Sequence, residues 1–316
     1  MFTYANSPMQ AYRTTAFYDN MKVNSGKGAL IPMPNLAPYR HGSSLLGQME
    51  ATAVPERAVA IWHLGQESVV LKGAGITLYV DPYLTDSVNA DGTTPRKFAP
   101  PLQPREATNA DYVFITHDHG DHLDPSTLRD MAAASPQARF ICPVPCVSQI
   151  VKAGIEPGRV QGVNAGQTVE LGALTAVPVA SKHEDYEQDE KGNHAFLGYV
   201  FKLNGVTVYH AGDTIGFRAL ADELKPLGVE VAMMPINGRD FARFGQGLIG
   251  NMDFREAIEL GRSIGADLLV PLHYDMFETN TENPAYFVDY IHDRYPRQKF
   301  KLFVPGERML YLSERD

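Results

Sequence analysis

The chain has 316 residues, 44% hydrophobic and 21% charged, enough to bury a sizeable core as one large or two small domains. Its formal net charge of −9 argues against a general nucleic-acid binder, which would carry a basic face. Its two cysteines, in Cys142-Pro-Val-Pro-Cys146, lack the second pair that a zinc ribbon needs and predict free thiols in a reducing cytoplasm.

Residues 1–55 read as an N-terminal arm. They carry Pro8, Pro32, Pro34 and Pro38 among scattered aromatics (Phe2, Tyr4, Tyr12, Phe17, Tyr18, Tyr39) and sustain no helical or strand period. Disordered segments are poor in aromatics, so the arm is expected to pack at a subunit interface or over the rim of the site. The first residues lack a basic region followed by an apolar core, which predicts no signal peptide. No stretch approaches the roughly 18 apolar residues of a membrane span. The expectation is a cytoplasmic protein, with neither a membrane nor a nucleic-acid partner, acting on a small molecule.

A second segment, 56–316, reads as the main folded domain. Strands are predicted at 59–64, 68–72 and 76–80, punctuated by Gly65, Gly73 and Gly75. A polar, Pro-rich loop fills 84–108. An apolar stretch at 111–115 then runs into Thr116-His-Asp-His-Gly-Asp-His122, and Asp124-Pro125 signals the start of a helix over 125–134. A further helix is predicted near 146–153. Strands follow at 174–179, 196–203 and 206–209, the last two joined by the hairpin signal Asn204-Gly205. Beyond the apolar strand at 231–235, apolar residues at 254, 257, 258, 260 and 264 predict a helix. A buried strand at 268–272, a helix at 284–294 and strands at 302–304 and 309–312 complete the series.

The run from His117 to His122 places three histidines and two aspartates on a loop at the carboxyl end of a strand, where α/β folds tend to place their chemistry. Imidazole is the commonest side-chain metal ligand, and carboxylate suits the harder divalent ions. His117 and His119, two residues apart on an extended loop, can converge on one ion. Asp121 and His122 point differently and suit a second ion nearby.

The same run, THDHGDHLD, resembles the signature of the metallo-β-lactamase superfamily. Further matches follow in order: His183 in Pro178-Val-Ala-Ser-Lys-His183, Asp213 in Tyr209-His-Ala-Gly-Asp213-Thr214, and His273 in Val270-Pro-Leu-His273-Tyr274-Asp275. Ile61-Trp-His-Leu-Gly65, Tyr79-Val-Asp-Pro82, Tyr209-His-Ala-Gly-Asp213 and the stretch from Gly265 to Asp275 look like the L-ascorbate-6-phosphate lactonase group in particular. The resemblance covers residues 57 to 312. It implies an α/β fold, an αββα sandwich of two mixed sheets flanked by helices, and a homo-oligomer.

It also implies two divalent ions per chain, zinc by the wider superfamily and manganese by the lactonase group. His117, His119 and His183 would hold the first, and Asp121, His122 and His273 the second. Asp213 is the natural bridge, because one carboxylate can offer an oxygen to each ion. His194 competes with His183 for the first site. Asp81, between Leu78-Tyr-Val80 and Pro82, is read either as the partner of a metal-binding imidazole or as a simple turn cap. His210, Asn237 and Arg239 are candidate substrate contacts, with Arg243 and Lys182 as further cations at the site edge.

The function expected is a metal-dependent hydrolase. In the reading favoured here it opens a sugar-derived lactone, with or without a phosphate, through a metal-bound hydroxide, with Asp121 and Asp213 as its catalytic carboxylates. A phosphodiesterase on the same scaffold is the alternative. A redox di-iron protein and a non-catalytic binding protein are the remoter ones.

Overall fold

The structure, a computed structural model, describes residues 37–92, 94–245 and 247–315. The arm aromatics Phe2, Tyr4, Tyr12, Phe17 and Tyr18 lie outside the described residues. Strands β1 (Ala58–Gly65), β2 (Ser68–Gly73), β3 (Ile76–Val80), β4 (Tyr112–Phe114), β5 (Arg139–Pro143) and β6 (Val160–Val163) form one sheet, which β14 (Arg308–Leu312) completes in the order β14-β1-β2-β3-β4-β5-β6. The other sheet contains β7 (Val169–Leu171), β8 (Leu174–Ala180), β9 (Leu197–Leu203), β10 (Val206–His210), β11 (Val231–Pro235), β12 (Leu268–Leu272) and β13 (Lys299–Phe300), paired consecutively. Both sheets are mixed. In each, the first four strands in that spatial order (β14 to β3, β7 to β10) pair antiparallel and the rest pair parallel.

Helices cover the outer faces: α1 (Gly42–Ala51), α2 (Pro125–Ala134) and α3 (Val147–Lys152) on the first sheet, α4 (Arg218–Leu224), α6 (Phe254–Ser263) and α7 (Pro284–Arg294) on the second. The short α5 (Phe241–Gly245) lies in the loop after β11. The αββα sandwich is therefore the fold. It explains why every residue of β1 is buried. Side chains alternate along a strand, so Val59 and Ile61 enter the core between the sheets while Ala60, Trp62 and Leu64 enter the layer under the helices. The inter-sheet core includes Phe114, whose ring meets Tyr199 and Phe201 edge-on at 5.2 and 4.8 Å. Among the described residues no helix is long and apolar enough to cross a membrane.

The structure corrects the sequence expectation in several places. Residues 42–51, assigned to the arm, form α1, so the compact unit begins well before residue 56. Only Leu45 and Met49 of α1 are buried, too short a stripe to register as a period. Tertiary contacts hold the helix. Trp62 Nε1 donates to Gln48 Oε1 (3.1 Å), and the Lys72 ammonium caps the carbonyls of Met49 and Glu50 (2.7 and 3.0 Å) at the helix C-terminus. The strand expected at 302–304 is displaced to Lys299–Phe300, where the chain pairs parallel with β12. β5, β6, β7, α4 and the short α5 were not foreseen; the apolar residues of β5 run into Pro143 and Pro145, which read as turn signals.

Asp124 caps α2 as its Asp-Pro pair predicts. Its carboxylate accepts from the amides of Ser126 and Thr127 and from the hydroxyls of Thr85 (2.5 Å) and Thr127 (2.6 Å). This cap fixes the segment immediately after the histidine run. Asp124→Ala should lower stability by about 1–2 kcal/mol, read as a lower Tm in thermal denaturation. An unchanged Tm would mean that the cap does not anchor this segment.

Candidate metal centre

Six strand ends deliver the site. Gln66 follows β1, Asp81 follows β3, the histidine run follows β4, His183 follows β8, Asp213 follows β10 and His273 follows β12. The two sheets therefore present their loops at one end of the sandwich. Three of these residues, Gln66, Asp81 and His273, hold left-handed backbone at φ 59°, 44° and 57°. Such strain persists only where the surroundings impose it. Gly212, at φ 56°, is required by contact as well as by conformation, since a Cβ there would stand 2.7 Å from Thr116 Cβ. The turn carrying Asp213 thus lies directly on the start of the histidine run.

Asp81 organises that run. Its Oδ1 accepts the Thr116 amide (2.8 Å), and its Oδ2 accepts the Thr116 hydroxyl (2.6 Å) and faces His122 Nδ1 (2.8 Å). A carboxylate only accepts, so His122 Nδ1 carries the hydrogen, and in the neutral imidazole Nε2 is left as a lone pair. The Thr116 hydroxyl, having donated to Asp81, accepts from His117 Nδ1 (2.9 Å), and His117 Nε2 is bared in the same way. Both Nε2 atoms, and Asp213 Oδ1, are buried without a hydrogen-bond partner.

These lone pairs converge. Asp213 Oδ1 lies 3.4 Å from His122 Nε2 and 3.3 Å from His273 Nε2. Its Oδ2 lies 3.7 Å from His183 Nε2 and 3.9 Å from His117 Nε2. Asp121 Oδ2 stands 3.7 and 3.8 Å from the Nε2 atoms of His122 and His273. Around a tetrahedral ion with bonds near 2.0–2.1 Å, ligand atoms stand about 3.3–3.4 Å apart, so the spacing suits shared cations better than direct hydrogen bonds. In three overlapping groups the ligand atoms all lie within 4.8 Å of one another: His119, His183 and Asp213; Asp121, His122 and His273; and His117, His122 and Asp213. The residues present fit a pair of divalent ions, with the two oxygens of Asp213 turned to different sets of imidazoles.

The electrostatics are those of a cation site. Burial opposes a charge on His122, yet the carboxylates of Asp213, Asp121 and Asp81 outweigh it and hold the imidazole well above its ordinary range. His117 is pushed well below that range, first by burial and then by His122. Burial would raise Asp213, but His273 and His122 hold it well below the usual carboxylate range. Phe196 walls one side, its ring 4.8, 5.6 and 5.4 Å from the rings of His117, His119 and His183.

The structure gathers all seven residues that the resemblance assigned to the ions, His183 among them. His194 lies elsewhere, with its ring nitrogens on Gln188 and Asn164. The expected substrate contacts are placed differently. His210 is buried behind the site. Its Nε2 meets the Glu67 carbonyl (2.8 Å) and its Nδ1 accepts the Gly212 amide (3.3 Å), which shapes the turn to Asp213. Arg239 does not line the cleft, because both its terminal nitrogens pair with Glu256 at 2.7 Å. Asn237 is buried and acts at one remove, donating to Asn280 Oδ1 (2.8 Å). Arg243 is held by Asp240 and the Asn237 carbonyl, and Lys182 lies over the rings of Tyr186 and Phe217.

A cavity of 210 Å³ opens above the cluster, with His119, Asp121, His183, Asp213 and His273 reaching it. Val88, Leu248, Ile249 and Phe277 supply apolar wall, and Thr94, Thr279 and Asn280 supply polar groups. Sequence reasoning missed these, along with Gln66, whose amide reaches both Asp121 and His273.

Residues 77–274 match the family described as a beta-lactamase superfamily domain, and the chain belongs to that superfamily. A UPF0173 metal-dependent hydrolase of Archaeoglobus fulgidus is 26% identical over 252 residues, 77% of this chain and 95% of its own length. The solved structure of Igni18, a metallo hydrolase from Ignicoccus hospitalis, is similar with a TM-score of 0.64 at 21% identity, over 81% of this chain and 100% of that one. An isothiocyanate hydrolase from Delia radicum gut bacteria is similar at 0.62 and 18% identity, over 79% and 98%. These two structural likenesses speak to the fold alone.

Two predictions follow from the geometry. Asp213→Ala removes the carboxylate that faces both sets of imidazoles. It should lose at least one ion on elemental analysis and at least about a hundredfold in turnover; both ions retained at near-normal turnover would refute the bridge. His183→Ala should strip metal while His194→Ala does not, and the reverse result would exchange their roles.

Proposed function

We propose that this member of the superfamily is a metal-dependent hydrolase that opens a compact, neutral, sugar-derived lactone. The observation that carries the reading is the pairing of a buried imidazole–carboxylate cluster with a cleft that no Lys or Arg lines among the described residues. The resemblance to the L-ascorbate-6-phosphate lactonase group suggests the cyclic ester. The cleft argues for its unphosphorylated form, because a phosphate held outside the ions would find no cationic side chain there. Thr94, Thr279 and Asn280 offer the hydrogen bonding that sugar hydroxyls need, and the apolar wall suits the ring carbons.

His117, His119 and His183 would hold one ion and Asp121, His122 and His273 the other, with Asp213 shared. Bound there, divalent ions supply Lewis acidity and lower the pKa of water toward neutrality. The protein's own part is orientation and proton handling. Asp81 and Thr116 fix the tautomers of His122 and His117, so that each turns a lone pair inward. Asp121 reaches the cleft and is the carboxylate placed to take the proton of the attacking water. As the carbonyl carbon gains the water oxygen, the ring C–O bond breaks, and the same proton passes from Asp121 to the leaving alkoxide.

Zinc- and manganese-loaded protein should be assayed against neutral lactones, their phosphorylated counterparts, phosphodiesters and small isothiocyanates. Neutral lactones should lead in kcat/KM by at least about tenfold, the factor that roughly 1.4 kcal/mol of transition-state discrimination gives. A phosphodiester preferred by the same margin would move the function to phosphoryl chemistry. A preferred isothiocyanate would keep the hydrolase and discard the lactone.

A further inference from the structure

The Gln66 backbone is clamped at both its N–H and its carbonyl. Its amide donates to Asp275 Oδ1 (2.9 Å), whose Oδ2 meets His63 Nε2 (2.8 Å), and its carbonyl accepts the His273 amide (3.1 Å). Its side chain is fully buried and ends inside the second group of ligands. Gln66 Nε2 stands 2.7 Å from Asp121 Oδ2, and 3.0 and 3.2 Å from Nε2 and Nδ1 of His273. A neutral imidazole accepts at one nitrogen only, so the amide nitrogen can donate to Asp121 and to one nitrogen of His273 but faces the other without a hydrogen bond. Gln66 Oε1, meanwhile, is buried with no partner. An orphaned buried amide oxygen is costly, and its presence in a native site calls for an explanation.

We infer that Gln66 is an additional ligand of the second ion, through its side-chain amide oxygen. The two ends of a glutamine amide exchange places by a half-turn about the last side-chain bond. That turn puts Oε1 against the Asp121 carboxylate, where two oxygens repel each other unless a cation stands between them. It gives the orphaned oxygen the ion as its partner and removes an N–H donor that would repel the ion, and in exchange it moves the amide N–H groups to the place where Oε1 found no partner. The added ligand is neutral and hard, so it raises the affinity for oxygen-preferring manganese more than for zinc. The backbone clamp from Asp275 and His273 fixes where this ligand can reach. The inference rests on the two-ion reading of the site.

The alternative is that Gln66 is only a strut that donates to Asp121, and two variants separate the roles. Gln66→Glu keeps the shape and the oxygen but loses the donor. Gln66→Asn tolerates the left-handed backbone but is too short to reach. Calorimetric titration of each metal-free protein with manganese and with zinc is the measurement, with the manganese-induced rise in Tm as a second readout. A ligand predicts opposite signs: Gln66→Glu binds the second manganese ion about tenfold or more tightly, and Gln66→Asn binds it about ten- to a hundredfold more weakly, in the range seen when a group supporting a metal site is lost. A strut predicts weaker binding in both.

Should Gln66→Glu not fold, the asparagine variant still decides. A ligand costs manganese more than zinc, and a strut costs both by the same factor. Wild-type protein that takes up fewer than two ions overturns the two-ion reading together with this inference. Wild-type protein that takes up two, with Gln66→Glu no tighter, overturns the inference alone.

Discussion

A buried carboxylate is tolerated only when positive charge or hydrogen-bond donors surround it, and Asp213 sets this condition for the whole centre. Almost no solvent reaches it, and four imidazoles, those of His117, His122, His183 and His273, stand within 3.9 Å of its two oxygens. These imidazoles come from loops of both sheets. The sandwich must therefore close before Asp213 is compensated, and the site can exist only in the closed fold. Gly212 shows how tight the requirement is, because the Asp213 turn lies so close to Thr116 that no side chain fits between them.

Around that carboxylate the protein accepts local strain in exchange for direction. Gln66, Asp81 and His273 all take left-handed backbone just past strand ends, and each then aims a side chain at the cluster or at one of its ligands. Such conformations cost about 1–3 kcal/mol apiece, and three separate apolar layers offset them. One layer lies between the sheets and one lies under each set of helices. The hydrogen bonds behind the ligands are as specific as the ligands themselves. Asp81 grips Thr116 twice, and through Thr116 and His122 it decides which nitrogen of two imidazoles faces inward.

What was legible in the sequence was what is local. The histidine run carries its chemistry within six residues. Asp124-Pro125 announces its helix, and Asn204-Gly205 turns its hairpin with φ of 53° and 78°. His183, Asp213 and His273 have no such local signature and were placed by the superfamily resemblance. Contacts of long sequence separation were illegible. Arg239 looked like a substrate contact because nothing near it in the chain revealed Glu256 as its partner. Gln66 sits in Gly65-Gln-Glu-Ser68, which reads as a plain turn, yet its partners are Asp121 and His273. The helix at 42–51 has only two buried side chains, and hydrogen bonds with Trp62 of β1 and Lys72 of β2 help to hold it.

The division of charge between the cluster and the cleft bears on specificity. Cationic side chains near the rim are already engaged: Arg239 with Glu256, Arg243 with Asp240, and Lys182 over two aromatic rings. Carboxylates dominate the floor, where Asp213, Asp121 and Asp81 act together on His122. In the reaction proposed above, positive charge for the carbonyl would come from ions held on the floor and from no side chain on the wall. On the function proposed above, a substrate with its own negative charge away from the reacting centre would meet only neutral and apolar groups on the wall, and it would lose hydration there without gaining a partner. A neutral substrate loses little on entry and gains apolar contact with Leu248, Ile249 and Phe277. On that proposal, shape and hydrogen bonding at the wall, rather than charge, set what the centre admits.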